Sequence, residues 1–324
     1  MESSVNSEAV ARQRSGSPLL VLFLGILVVS TASVFIRLAQ REASSIVIAA
    51  YRLTLSALIL LPIALRGNRK ELARLNHKQM ILVLLSGLFL ALHFAAWITS
   101  LEFTSVASSV VLVTTTPLWV SLFSPVILGE RPTRAVVAGM AVALTGGVMV
   151  GLSEACAFGP GGFTCPPFSE FVQGRAFIGN LLALAGALMS GAYLMVGRWL
   201  RPSLSLVSYI TAVYSVAAVV LLAMAAVSGQ PMVGFSPAIY LAFLALAVGP
   251  QLLGHTALNY GLRYLSAAYV AVALLGEPIG TVILAYLVLN EAPTILEVVG
   301  GLIILSGILL ASYSQRQPAE TGSA

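Results

Sequence analysis

The chain has 324 residues, of which 58% are apolar and only 9% charged, with a formal net charge of +5. A soluble domain carries nearer a quarter of charged residues, so an ordinary soluble fold is excluded. A mean hydropathy of +0.96 and repeated uncharged runs of about 20 residues indicate an all-α polytopic membrane protein.

The isoelectric point of 9.4 would suit a nucleic-acid binder, but the basic residues fall in short connections between apolar runs. That placement fits topology determination, and no nucleic-acid partner is expected. The sequence contains no Asp, which removes aspartate-based intramembrane proteases and Asp-dependent proton relays.

Residues 1–17 are polar, include Arg12 and Arg14, and read as a disordered cytoplasmic tail. The next run has a basic start, an apolar core and the small residues Ser30, Thr31, Ala32 and Ser33, so a cleaved signal peptide is one reading. The other is a first membrane span. An offset of 161 maps the run onto an evident span further on, pairing Gly25 with Gly186, Leu27 with Leu188 and Arg37 with Arg198. Ten spans follow from hydropathy: roughly 18–36, 44–65, 79–101, 105–128, 134–151, 176–197, 204–227, 237–262, 265–289 and 294–313. The connections are short except 152–175, a loop rich in Gly, Pro and aromatics. It divides a first unit, 18–151, from a second, 176–313. Residues 314–324 form a second cytoplasmic tail.

The same offset aligns Ser105–Val150 with Ser266–Ala311 without a gap, and 12 of 46 positions are identical. Pro117 matches Pro278. Glu130, Pro132 and Thr133 match Glu291, Pro293 and Thr294, while Gly139 and Gly146 match Gly300 and Gly307. Shared apolar composition does not explain ungapped Glu and Pro matches, so one five-span unit is used twice. With the N-terminus cytoplasmic, 13 Lys and Arg residues lie on the cytoplasmic side and three (Arg37, Arg41 and Arg175) on the other. That bias puts both termini inside. Five spans per unit then invert the second unit relative to the first, the architecture of secondary transporters with a site between pseudo-symmetric halves. Cys156 and Cys165 fall in the outer loop, where a disulfide closing a small hairpin is one reading and two free thiols the other.

Ionisable groups inside spans must face a cavity, a partner or the interface. Glu277 lies deepest, just before Pro278, which cannot donate a backbone hydrogen bond and should kink or open the helix. Its carboxyl, beside freed carbonyls, suits a proton or a substrate ammonium group; the plainer reading is a protonated acid bonded to a neighbouring helix. Pro117 marks the equivalent break in the first unit, with Thr116 in place of the acid. Arg52 either snorkels, contacts an anion or carboxylate, or forms an ion pair that closes one side of the pathway, and Tyr51 precedes it. Gln251, His255 and Asn259 recur at i, i+4 and i+8, which puts them on one face of an α-helix, and His93 and Trp97 are again four apart. A cavity-lining role is expected of both sets. Tyr193, Tyr209, Tyr214, Tyr269 and Trp119 are candidates for an aromatic lining. Glu130 and Glu291 are expected to be structural, each favouring the exposed N–H groups of the helix it precedes. The glycines allow close helix packing.

The doubled layout, the YRLTLSALILL run containing Arg52 and the two TTP/GEP…GE/NE-x-P-T blocks resemble the drug/metabolite transporter superfamily, in particular its EamA-type branch. The resemblance covers residues 18–313. It implies an inner- or plasma-membrane carrier, often an exporter of amino acids or related metabolites, working by alternating access around a central cavity. Arg52, Pro117, Glu130, Glu277, Pro278 and Glu291 sit where that branch shows the same residue types. The expected partners are the bilayer, a small metabolite and protons as a candidate coupling ion, with no cofactor and no metal. The competing readings are a channel or scaffold, and an intramembrane enzyme. Against the enzyme, the chain carries neither H-E-x-x-H nor G-x-S-x-G. Oligomeric state is left open.

Overall fold

The computed structural model describes residues 17–127, 134–159 and 162–313. The expected tails, and Glu130 with its Pro132 and Thr133, lie outside these residues. The chain begins with α1 (Pro18–Val29) and α2 (Ala32–Ala39), then α3 (Ser45–Gly67), the short α4 (Arg69–Ala73) and α5 (His77–Ser100). An interrupted pair follows, α6 (Val106–Val113) and α7 (Thr116–Ile127), and α8 (Arg134–Leu152) closes the first unit. A two-stranded antiparallel hairpin, β1 (Ala157–Gly159) and β2 (Gly162–Thr164), leads through α9 (Phe168–Gln173) to the second unit. The Cys156–Cys165 disulfide ties the base of this hairpin.

The second unit contains α10 (Arg175–Leu200), α11 (Leu206–Val227), α12 (Pro237–Leu246), the π-helical segment Ala247–His255, α13 (Thr256–Tyr264), α14 (Ala267–Ala273), α15 (Gly276–Leu284), a second π segment (Ala285–Leu289) and α16 (Ile295–Tyr313). Among the described residues eight helices, some of them joined pairs, are long and apolar enough to cross a membrane, and two shorter apolar helices run over Val137–Leu152 and Ile295–Gly307. These two pack closely, because glycine removes the side chains between them. A Cβ on Gly146 would lie 2.5 Å from Gly300 O, and one on Gly307 2.5 Å from Gly139 O.

The few carboxylates bind the helix ends together. Glu102 accepts from Ser45 N at 3.0 Å, Glu42 from Ser236 N at 2.7 Å, and Glu291 from Val106 N at 3.2 Å. At the opposite end of α3, Glu71 accepts from Ser205 N at 2.7 Å and from the Ser205 and Ser208 hydroxyls. Each places negative charge at the start of another helix, where unpaired N–H groups and the helix dipole favour it. Burial pushes the Glu71 carboxyl up, but the bonds from Ser205, Ser208 and Asn68 outweigh it and hold the group at about 2. Glu291 was expected to favour its own helix. Instead it serves α6 of the other unit, while α16 is opened by Thr294 and Glu297, which bond each other's backbone N–H at 2.6 and 3.2 Å.

Candidate functional site: a cavity between two interrupted helices

The two interruptions are the structural consequence of Pro117 and Pro278. A proline removes one N–H and crowds the turn before it, so the α-helical ladder fails three to four residues upstream. In the first unit the freed carbonyls are bonded locally. Thr114 Oγ1 donates to Val110 O at 2.8 Å, Thr115 Oγ1 to Leu112 O at 2.7 Å and Thr116 Oγ1 to Val113 O at 3.0 Å. The second unit has Leu274, Leu275 and Gly276 before Glu277, so no hydroxyl serves this purpose there. Its break is anchored from α1 and α2 instead. Thr281 Oγ1 donates to Ser30 O at 3.0 Å, and the Ser30 hydroxyl is shared between Ile26 O at 3.0 Å and Glu277 O at 3.2 Å. Ser30 sits at the α1–α2 junction and fixes the first turn of α15, and with it the aim of Glu277.

A cavity of about 30 Å³ lies between the breaks, lined by His93, Trp97, Val113, Thr114, Thr116, Ser190, His255, Leu274 and Glu277. That space holds about one or two waters. Two pairs of its lining residues, Val113 with Leu274 and Thr116 with Glu277, are related by the 161-residue offset, so the cavity sits where the two units face each other. His93 Nδ1 donates to Gly186 O at 2.9 Å, which fixes the orientation of the ring. The His93 and His255 rings are 6.3 Å apart and His93 stacks on Trp97 at 5.9 Å. The His255 Nδ1 and Trp97 Nε1 atoms are buried with no partner among the described residues. Such groups normally find a partner, and water or a ligand in the cavity would supply one.

Arg52 stands one layer behind. It is fully buried, its Nε donates to Gln251 Oε1 at 2.8 Å, and its guanidinium lies 4.1 Å from the Phe94 ring centroid. Nη1 and Nη2 have no partner among the described residues. Arg52 and Glu277 interact electrostatically across the interior without forming an ion pair. A snorkelling arginine is therefore ruled out; the side chain points into protein. Phe94, which bridges Arg52 and His255 (ring centroids 5.1 Å), carried no sequence signal beyond lying next to His93.

The Gln251, His255 and Asn259 stripe is divided in role. Gln251 holds Arg52, only His255 lines the cavity, and Asn259 accepts from Tyr193 Oη at 2.7 Å and donates to Tyr214 Oη at 3.3 Å. Gln251 and His255 fall within the π segment, whose wider turn departs from the i, i+4 register of an α-helix. Tyr209 joins Ser86 at 3.0 Å and is likewise part of buried packing. Tyr51 donates to Met232 O at 2.7 Å and stacks on Phe243, and it is not among the cavity-lining residues. Trp119 lines a separate apolar pocket with Leu118 and Met140. Thr114 and Ser190 carried no signal as lining residues, although the Thr run directly before Pro117 marked the place.

A family model described as the EamA-like transporter family matches residues 16–152 and again residues 177–313. An uncharacterized transporter of Archaeoglobus fulgidus is 23% identical over 302 residues, spanning 92% of this chain and 98% of its own. A solved structure, described simply as the crystal structure of a protein, superimposes with a TM-score of 0.64 at 22% identity, covering 92% of this chain and 97% of that one. The last likeness speaks for the fold alone.

Proposed function

The chain belongs to the EamA-like transporter family, and from that premise we propose that it is a secondary carrier of a small zwitterionic metabolite such as an amino acid. It is a multi-pass membrane protein, and the family supports the plasma membrane as its location. We read ten spans. At about 1.5 Å per residue, α8 and α16 with 19 residues each reach ~28 Å, close to the hydrocarbon thickness. The basic-residue bias then puts both termini in the cytoplasm and the Cys156–Cys165 hairpin outside.

One observation carries the substrate reading: the Glu277 carboxyl opens onto a cavity at the junction of the units, with the unfilled Nη1 and Nη2 donors of Arg52 one layer away. A ligand bearing both an ammonium and a carboxylate would satisfy both ends. Trp97 and His93 offer the flat faces between them. Glu277 and His255 in the lining of one cavity also support a proton as the coupling ion, exchanged when the substrate ammonium leaves. Rocking of the units about the two breaks would open the cavity to one side at a time. The family resemblance implies export as the net direction, and a carrier rather than an enzyme. A cavity of only about 30 Å³ favours this over an open channel. Counterflow of pooled labelled amino acids into liposomes tests the reading. Saturable exchange supports it, whereas exchange confined to sugars or nucleosides would overturn the substrate class.

A further inference from the structure

On the face carrying the Cys156–Cys165 hairpin, Arg37 Nε lies 3.2 Å from Glu291 Oε1, the ion pair found among the described residues. The same guanidinium donates to Leu101 O at 2.5 Å and Thr104 O at 3.2 Å. Glu291 Oε2 accepts from Val106 N at 3.2 Å. One pair thus gathers the end of α2, the turn after α5, the start of α6 and the link that follows the second π segment. These include the outer ends of the two elements that frame the cavity. α6 runs from Val106 to Val113 and the break at Thr114, while α15 and its π segment run from Glu277 towards Glu291. The two elements pack against each other. The cavity cannot open to this face unless their outer ends part, and the Arg37–Glu291 contact spans that gap. The side chains are only 26% and 33% exposed, so solvent screening is incomplete.

The repeat separates scaffold from switch. Arg198, the equivalent of Arg37, donates to Leu262 O at 2.9 Å, and Leu262 is the equivalent of Leu101. The arginine-to-carbonyl bond therefore belongs to the architecture of each unit. The contact with Glu291 joins one unit to the other and is free to change when they move.

We propose that the Arg37–Glu291 pair is the latch that holds the carrier closed on the hairpin face, and that it parts whenever the cavity opens there. The proposal rests on the carrier reading but not on any substrate. The two native cysteines are bonded to each other, so Ser190→Cys places a single reactive thiol in the cavity wall. In sealed proteoliposomes, a membrane-impermeant maleimide is confined in turn to the side where the hairpin is open to protease and to the opposite side. In this background Glu291→Gln, which keeps an acceptor for Val106 N, should label about five-fold faster from the hairpin side and more slowly from the other, the population shift expected from losing a half-buried ion pair. Arg37→Gln, which also gives up the bonds to Leu101 O and Thr104 O, should shift labelling in the same direction, and the double variant should add nothing to Arg37→Gln alone. Unchanged labelling in Glu291→Gln overturns the latch. So do single effects that multiply in the double variant, and so does faster labelling from both sides, which means a loosened fold. A silent counterflow assay with this labelling pattern intact would fault the substrate class and leave the latch standing.

Discussion

Arg52→Met separates stability from function at the buried arginine. The substitution removes one charge-assisted hydrogen bond to Gln251, worth about 1.5–3 kcal/mol, and a desolvated contact with the Phe94 face worth ~2 kcal/mol. Against these stands the cost of keeping a guanidinium out of water, several kcal/mol, with Nη1 and Nη2 unbonded. Methionine fills much of the same volume and packs on Phe94. The terms nearly cancel, so the thermal midpoint in detergent should stay within about 4 °C of wild type, taking ~2 °C per kcal/mol for a chain of this size. Gln251→Leu is the contrast. It leaves the buried charge without its hydrogen-bond partner among the described residues and should cost about 3–5 kcal/mol, a drop of roughly 6–10 °C. Counterflow should be lost in Arg52→Met despite its stability. A fall of ~10 °C or more in Arg52→Met, with residual exchange scaling to folded protein, would refute the reasoning and make Arg52 a structural group.

Gly146→Ala should destabilise by about 1–3 kcal/mol, because its Cβ would meet Gly300 O at 2.5 Å and backbone at Ile304 N cannot retreat. Gly147→Ala, with nothing within 4 Å, should be neutral or stabilise by up to ~1 kcal/mol in the same thermal assay. Glu71 has a folded value of about 2, below its ordinary 4.5, so the stability it contributes is present above that ordinary value and lost as pH falls towards 2. The thermal midpoint should therefore fall over that window, by a modest amount because the group is largely solvated, and Glu71→Gln should flatten the fall. Cys156→Ser should leave the midpoint of the helical core unchanged while speeding proteolysis of the loop, since the disulfide closes a segment with a sequence separation of only nine.

Much of the helical frame was legible because long apolar runs in a membrane chain admit few alternatives to helices. The two interruptions were legible too, since Pro117 and Pro278 act through local chemistry. What escaped was whatever depends on which helix lies opposite. Ser30 and Thr281 each look like ordinary small polar residues, yet together they fix the turn that carries Glu277. Asn259 shares the spacing of Gln251 and His255, but Tyr193 and Tyr214 occupy its amide. Pro250 within an apolar run announces an irregular helix without saying that nine residues will widen into π turns. Glu291 favours a helix start, as its position before Pro293 implied, but the helix belongs to the other unit.

A carrier cycle running through the cavity acid is tested most directly by counterflow of labelled amino acids into liposomes, with wild type and Glu277→Gln side by side. Saturable wild-type exchange that is lost in Glu277→Gln, at equal thermal stability, is the predicted result. Equal exchange in both proteins would contradict it and leave Glu277 a buried structural group.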